Sequence, residues 1–335
     1  MVWKQGHQLR GDRYTIERVL GRGRFAVTYL AFDRHGTRIV IKTLSDVIIA
    51  QLQGDLDAIA RWQDKLWKEA TKLAHCQHHH VVRCLGQPWR ELDGDYKLVC
   101  VPLEYIAGID LASLPQKRLS ETAALGYIKQ IGNALTCIHS KGLLHRDVKP
   151  ENILVRHETG EAVLIDFNLA RETDTPLSDR REISDGFASL ELYIDSMTLN
   201  ARSDIYSLAA TLYFLVTGET PPSAEKRQSN LSEVRLIPPK EITPDLSDRV
   251  NDAILQGMSL EPDFRPKDME TWLKSLGLNE KRRVSIERVK EKLAIAAVII
   301  GFLAALAGFL NDGIGFVDRM LSPKESPPET TEPKK

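Results

Sequence analysis

Eight consecutive residues concentrate side chains able to do chemistry: His145-Arg146-Asp147-Val148-Lys149-Pro150-Glu151-Asn152. The Asp147 carboxylate can accept a proton from a hydroxyl. Asn152, five residues on, can hold a divalent cation, and Lys149 supplies positive charge for a migrating phosphoryl group. The triplet Asp166-Phe167-Asn168 follows 14 residues after Asn152, behind the apolar run Val163-Leu164-Ile165. Asp166 at a strand end is a second hard oxygen ligand suited to Mg²⁺.

Two earlier segments add phosphate-binding character. Leu20-Gly21-Arg22-Gly23-Arg24-Phe25-Ala26-Val27, followed by Thr28, is a glycine-rich turn between strands. Glycine there lets backbone approach phosphate oxygens without a Cβ in the way. On its own this pattern also fits a plain hairpin turn. Lys42 ends an apolar strand, where a lysine is costly to bury without a partner. Glu69, on the following helix, is the candidate partner.

The elements that must position these groups are legible from periodicity. Tyr14 to Lys42 reads as three strands, with Phe25, Val27, Tyr29 and Ala31 alternating. Ile59, Trp62, Leu66, Ala70 and Leu73 recur at helical steps, which predicts a helix over 55–74. Residues 98–106 read as a strand. A helix follows Ser120, a suitable N-cap, and stops at Gly142. Two short strands, 153–155 and 162–165, enclose the turn at Glu158-Thr159-Gly160, and Pro221-Pro222 and Pro238-Pro239 mark loops. Strands dominate the first hundred residues and helices dominate 120–276, which predicts two lobes with a cleft between them.

These motifs and their order resemble the eukaryotic-type serine/threonine protein kinase family across residues 14–276. The resemblance implies an α+β, bilobal kinase-like fold, with a β-rich N-lobe over 14–106 and an α-helical C-lobe over 107–276. Residues 1–13 would be an N-terminal extension. It implies ATP and Mg²⁺ as cofactors and transfer of the γ-phosphate to Ser or Thr hydroxyls of proteins. Asp147 would be the catalytic base, with Lys149 and Asn152 as catalytic partners; Asn152 and Asp166 would hold the metal. Gly21 and Gly23 would cover the phosphates, within a nucleotide-binding stretch of Leu20, Gly21, Arg22, Gly23, Arg24, Phe25, Ala26, Val27 and Thr28. Lys42 would contact phosphates and pair with Glu69. Leu20, Val27, Val40 and Leu154 would wall the adenine, and the backbone at Glu104 and Ile106 would bond its edge. Asp204 would brace the catalytic loop, and Glu191 with Arg265 would form a buried ion pair.

Ala26, Asn168, Leu190 and Ala209 depart from the family pattern, standing where glycine, glycine, proline and glycine are usual. They leave open an alternative, an ATP-binding pseudokinase or scaffold. A small-molecule phosphotransferase on the same fold is a further alternative, against which Lys149 and the Glu191–Arg265 pair speak. Thr173, Thr175, Ser178 and Ser184 lie in the stretch matching the activation segment, where Arg146 is placed to pair with a phosphate. The His75 to His80 cluster reads as a helix-ending loop, since no second ligand pair has zinc-site spacing.

The chain has 335 residues, 42% hydrophobic and 27% charged, with a net charge of −1, so nucleic acid is not an expected partner. Its four cysteines are scattered, which fits a reducing compartment. Residues 1–12 are polar and lack the apolar core of a secretory signal. Leu293 to Leu310 is a run of 18 residues without a charged side chain, close to the length that spans a bilayer. Basic residues crowd 281–292 before it, whereas Asp312 and Asp318 follow. This predicts a single-pass transmembrane helix at 293–310 after a juxtamembrane linker at 277–292, with the kinase domain cytoplasmic, as in bacterial plasma-membrane family members. A disordered tail is expected at 311–335. Ala297, Gly301 and Ala305 form a small-residue stripe that would suit a homodimer.

Overall fold

The computed structural model describes residues 3–23, 25–53, 55–94, 96–166, 186–194, 196–229 and 234–278. Arg24, the segment 167–185 and everything from 279 onward lie outside them. The expected membrane span, the tail and the activation-segment hydroxyls therefore fall outside the described residues. Among the described residues no helix is long and apolar enough to cross a membrane.

The N-lobe is a six-stranded antiparallel sheet in the order β1-β2-β3-β4-β6-β5. Its strands are β1 (Gln8–Leu9), β2 (Tyr14–Arg22), β3 (Ala26–Asp33), β4 (Arg38–Leu44), β5 (Trp89–Asp93) and β6 (Tyr96–Glu104). Between β4 and β5 run α1 (Asp46–Gln51) and α2 (Leu56–Ala74). Ser45 caps α1 and Asp55 caps α2, each through its side-chain oxygen. The Cβ alternation along β4 sends Ile39 and Ile41 to one face and Val40 and Lys42 to the other.

The segment before β2 is built into this lobe. Trp3 is buried against Tyr29 and stacks on His7, its backbone N–H donating to the Tyr29 hydroxyl at 3.2 Å. Gly6 and His7 exchange backbone hydrogen bonds with Ile16. Trp3 and Leu9 thereby cover the sheet face that carries Ile16, Tyr29 and Ile41.

The remaining described elements form the C-lobe: the three-stranded sheet β7-β8-β9 (Gly108–Asp110, Ile153–Arg156, Ala162–Leu164), and α3 (Glu121–Ser140), α4 (Ala201–Thr217), α5 (Ala224–Gln228), α6 (Pro239–Ile242), α7 (Asp248–Gly257) and α8 (Met269–Ser275). The proline pair at 238–239 starts α6 instead of only breaking the chain, because proline suits a first helical position. α4 is buried along almost its whole length. It stops at Gly218, φ +74°, where a Cβ would meet the Lys117 carbonyl at 2.6 Å. Ala209 on α4 packs opposite Gly257, whose missing side chain makes room for its methyl. Leu190 is buried beside Glu191.

α2 belongs to both cores. Its first half, through Ile59 and Trp62, packs with the outer face of the sheet. Leu66, Ala70 and Leu73 join the large core that continues through Val163 and Leu164 into the helices.

Candidate active site

The catalytic-loop candidates hang on one buried carboxylate. Asp204, in the first turn of α4, accepts the backbone N–H of His145 at 2.9 Å and of Arg146 at 2.8 Å. His139 Nε2 lies 2.7 Å from the same carboxylate. These bonds hold Arg146 at φ +67°, a conformation a side-chain-bearing residue seldom adopts. Burial pushes the Asp204 carboxyl up, and the His139 hydrogen bond together with nearby His139 and His145 hold it below the usual range.

His145 is fully buried, and its Nε2 lies 3.0 Å from the Ile165 carbonyl. Desolvation lowers its pKa against the pull of Asp204, Asp147 and Asp166. The ring is therefore neutral at pH 7, with Nε2 as the donor to that carbonyl. His145 thus ties the loop to the residue immediately before Asp166.

Within the loop, Asn152 Nδ2 donates to the Asp147 carbonyl at 2.8 Å and to Asp147 Oδ2 at 3.0 Å. Lys149 Nζ stands 3.5 Å from the same Oδ2. Asp147 is thus oriented by its own loop. With its N–H directed at Asp147, Asn152 keeps its amide oxygen for other partners.

From the N-lobe comes Lys42, 5% exposed, whose ammonium contacts Asp166 Oδ1. Asp166 has φ +58° and a side chain 47% exposed. Desolvation opposes its ionisation, but the Lys42 charge and hydrogen bond override that and hold the carboxyl below its ordinary value. The Glu69 side chain lies outside the described residues, although its backbone is part of α2.

Lys42, Asn152 and Asp166 meet in a cleft of about 520 Å³, whose lining does not include Asp147 or Lys149. Of the expected nucleotide-binding residues, Leu20, Gly21, Thr28, Val40, Lys42, Glu104, Ile106, Leu154, Asn152 and Asp166 line it. Arg18, Val82, Leu103, Tyr105, Gly108, Glu151 and Ile165 complete the lining. Gly108 has a sequence signal only in hindsight: a Cβ there would meet the Val155 carbonyl at 2.4 Å, so the backbone two residues after Ile106 needs glycine.

Glu104 is held by three bonds. Its Oε1 accepts from Arg83 N at 2.9 Å, its Oε2 from Arg156 Nη2 at 2.9 Å, and its own N–H donates to the Arg83 carbonyl. Arg156 sits on β8, so this ion pair joins the end of the N-lobe sheet to the C-lobe.

Two expected nucleotide contacts are corrected. Val27, 2% exposed, faces the outer core, and Thr28 takes the cleft position. Thr28 is the register partner of Lys42, and cross-strand partners share a face, so its neighbour Val27 must point the other way. Phe25 is buried in the same outer cluster, stacked on Trp62, rather than lying over the cleft. Arg22, Gly23 and Ala26 are not among the lining residues; the Arg22 guanidinium lies 3.9 Å from Asp46.

Away from the cleft, Arg265 grips Glu191 through two bonds, 2.7 and 2.9 Å, with both side chains fully buried. Arg265 also donates to the carbonyls of Ser259, Leu260 and Arg202, and Ser203 Oγ donates to Glu191. Every donor of this pair is directed at an acceptor, which is what makes a buried pair tolerable.

The sequence profile of the protein kinase domain family matches residues 14–293. The chain is similar to a probable serine/threonine-protein kinase of Clostridium perfringens, 29% identical over 265 residues, covering 76% of this chain and 36% of that protein. It is also similar to serine/threonine-protein kinase PknE of Mycobacterium bovis, 31% identical over 260 residues, covering 75% of this chain and 43% of the relative. The matched part is thus less than half the length of either relative. Among solved structures, the PknI kinase domain of Mycobacterium tuberculosis superposes with a TM-score of 0.63 at 22% identity, over 84% of this chain and 99% of that one.

Proposed function

Because the chain belongs to the protein kinase domain family, we propose that it transfers the γ-phosphate of ATP to serine or threonine hydroxyls of proteins. One observation carries this reading: Lys42, Asn152 and Asp166 line one cleft, and Asn152 binds Asp147. A volume of about 520 Å³ is within the range of small-molecule sites and suits a nucleotide.

Asp147, fixed by Asn152 and Lys149, would orient the acceptor hydroxyl and take its proton. Lys149 would offset charge on the phosphoryl group in flight, and Lys42 would offset charge on the phosphates that remain. Thr28, Val40 and Leu154 would wall the base, with the backbone at Glu104 and Ile106 against its edge. Asn152 and Asp166 are a hard oxygen donor pair, the kind Mg²⁺ accepts alongside waters and phosphate oxygens. Bound there, Mg²⁺ would neutralise phosphate charge and orient the phosphate chain.

The test uses the full-length chain with Mg²⁺ and γ-labelled ATP, followed by identification of the labelled amino acid. Asp147→Asn is expected to slow transfer by about 10²–10⁴-fold while nucleotide binding persists. If the unmutated chain binds ATP yet labels neither itself nor an acceptor protein, a scaffold is the better reading.

Residues 293–310 are proposed to anchor the chain in a membrane with the kinase domain on the cytoplasmic side, a reading supported by the apolar run and its basic flank. Alkaline extraction of membranes tests this: deletion of 293–310 should release the chain, and release of the intact chain would sink the idea. Self-association through Ala297, Gly301 and Ala305 would be lost on replacing Gly301 with leucine.

A further inference from the structure

The residue at the tip of the glycine-rich loop, Phe25, does not lie over the cleft. It is 7% exposed and stacks on Trp62 of α2, with ring centroids 5.4 Å apart and planes 24° from parallel. Its carbonyl accepts the N–H of Ser45, the buried residue that caps α1, at 3.0 Å. One residue further, Ala26 closes the turn by accepting from Gly23 N at 2.9 Å. The loop that presents Gly21 to the cleft is therefore pinned at its far end to the helical layer.

Trp62 sits where that layer changes allegiance. Toward the N-terminus of α2, Ile59 belongs to the outer cluster with Phe25. Toward its C-terminus, Leu66, Ala70 and Leu73 are packed in the core that contains Val163 and Leu164, just ahead of Asp166. Gln63 adds a directional tie, its Oε1 accepting from Val99 N of β6 at 2.6 Å. α2 is thus tied to β6 and shares the core that runs on to Val163 and Leu164, and Trp62 stacks on the loop tip.

We propose that Trp62 is a positioning residue for nucleotide phosphates, touching no substrate and acting through the Phe25 stack to set the height of the glycine-rich loop over the cleft. This rests on the kinase reading above and extends it to a residue outside the cleft lining. Ring stacking supplies the coupling because it fixes both separation and tilt, whereas an aliphatic contact fixes only separation. Lys65 Nζ lies 5.1 Å from the centroid of the Trp62 ring, which further restricts the indole.

The experiment measures binding of Mg-ATP, the KM for ATP and kcat with a generic acceptor protein, and Tm, all on the full-length chain. Trp62→Leu keeps apolar volume and removes the ring; Trp62→Phe keeps a ring. Trp3→Ala serves as a control that loosens the same apolar cluster at a point away from the loop tip, against Tyr29. Trp62→Leu is expected to raise the KM for ATP by about three- to ten-fold. Its kcat should stay within about two-fold, since no group that touches reacting atoms is removed. Trp62→Phe should recover most of that affinity, and Phe25→Leu combined with Trp62→Leu should cost little more than either alone. Trp3→Ala should lower Tm without moving the KM for ATP. The proposal is overturned if Trp62→Leu changes Tm but not KM, or if the two single effects add in full. Absence of Mg-ATP binding by the unmutated chain is a distinct result that removes the kinase reading, and this inference with it.

Discussion

The two halves of the cleft are held by different kinds of force. On the C-lobe side, the catalytic loop hangs from Asp204 by two backbone N–H bonds, with His139 on the same carboxylate and His145 reaching Ile165. On the N-lobe side, the tip of the glycine-rich loop is tied to the helical layer through the Phe25 carbonyl, which accepts from Ser45 N, and through the stack of Phe25 on Trp62. Hydrogen bonds to a buried charge fix direction to a fraction of an ångström and leave an orphaned group when broken. A ring stack sets separation and tilt but yields more easily than such a bond, because no polar group is orphaned when it shifts. The stiff half carries the residues that would handle the proton, and the compliant half covers the place a nucleotide must enter and leave.

The sharpest way to break this contrast is to remove its stiff anchor. Asp204→Ala strands two N–H donors and His139 in the core. A loss of about 3–5 kcal/mol is expected, as for a buried charged partner removed from one side only. Urea titration reads that loss. Transfer activity should fall by at least about 10²-fold even among folded molecules, because Asp147 then loses its frame. Activity surviving in a folded Asp204→Ala chain would mean that Asn152 and Lys149 alone suffice to orient Asp147.

The same contrast explains what was legible beforehand. Asp147, Asn152 and Asp166 could be found because their chemistry is written in residue types at short spacing, and the fold brings them together as that spacing implied. The helix from Asp55 and the helix from Ser120 were equally readable, since apolar stripe and cap agree in each. Val27 and Phe25 went astray for a physical reason. The glycine-rich segment shows that a loop approaches phosphate but not which strand face turns inward, and a one-residue shift reverses every side chain. The alternation of Phe25, Val27, Tyr29 and Ala31 did contain the answer: an apolar set in step with the buried Tyr29 belongs to the core, which leaves Thr28 for the cleft. Trp3 had no local signal at all. Its partner Tyr29 is 26 residues away, and the surrounding stretch is polar.

A smaller effect separates the halves by pH. His145 has a folded pKa below the ordinary histidine value of 6.5, chiefly through desolvation, whereas in the unfolded chain it titrates near that value. Unfolding therefore takes up a proton as pH falls below about 6.5. The sign follows: this contribution is complete above about pH 6.5 and is lost progressively below it, by about 1.4 kcal/mol per pH unit per proton. His78, also lowered by burial, adds to the same slope. Asp204 and Glu191, with lowered carboxyl pKa values, add a second loss near pH 4. Urea midpoints between pH 8 and 5 should show the first decline, and His145→Gln should remove one proton's share of it. A flat profile across that range would mean that His145 is reached by water and the stiff half is less enclosed than its geometry implies.

The smallest expected effect lies at the boundary between the halves, in the Arg156–Glu104 pair at 2.9 Å. Both side chains are partly exposed, so breaking the pair should cost only about 0.2–1 kcal/mol of stability. Its consequence for nucleotide affinity should be comparatively larger. Glu104 would lose its ion pair to β8 while keeping Arg83, which leaves the strand end attached to its own lobe but less restrained against the other. Arg156→Met preserves the length and apolar contacts of the side chain and removes only the charge and its hydrogen bond. The expected result is an unchanged kcat, a rise of about two- to five-fold in the KM for ATP, and a Tm shift within about 2 °C. A fall in kcat with no change in KM would mean that Arg156 acts on the catalytic loop through β8. In that case the strand end at Glu104 would belong to the stiff half of the site.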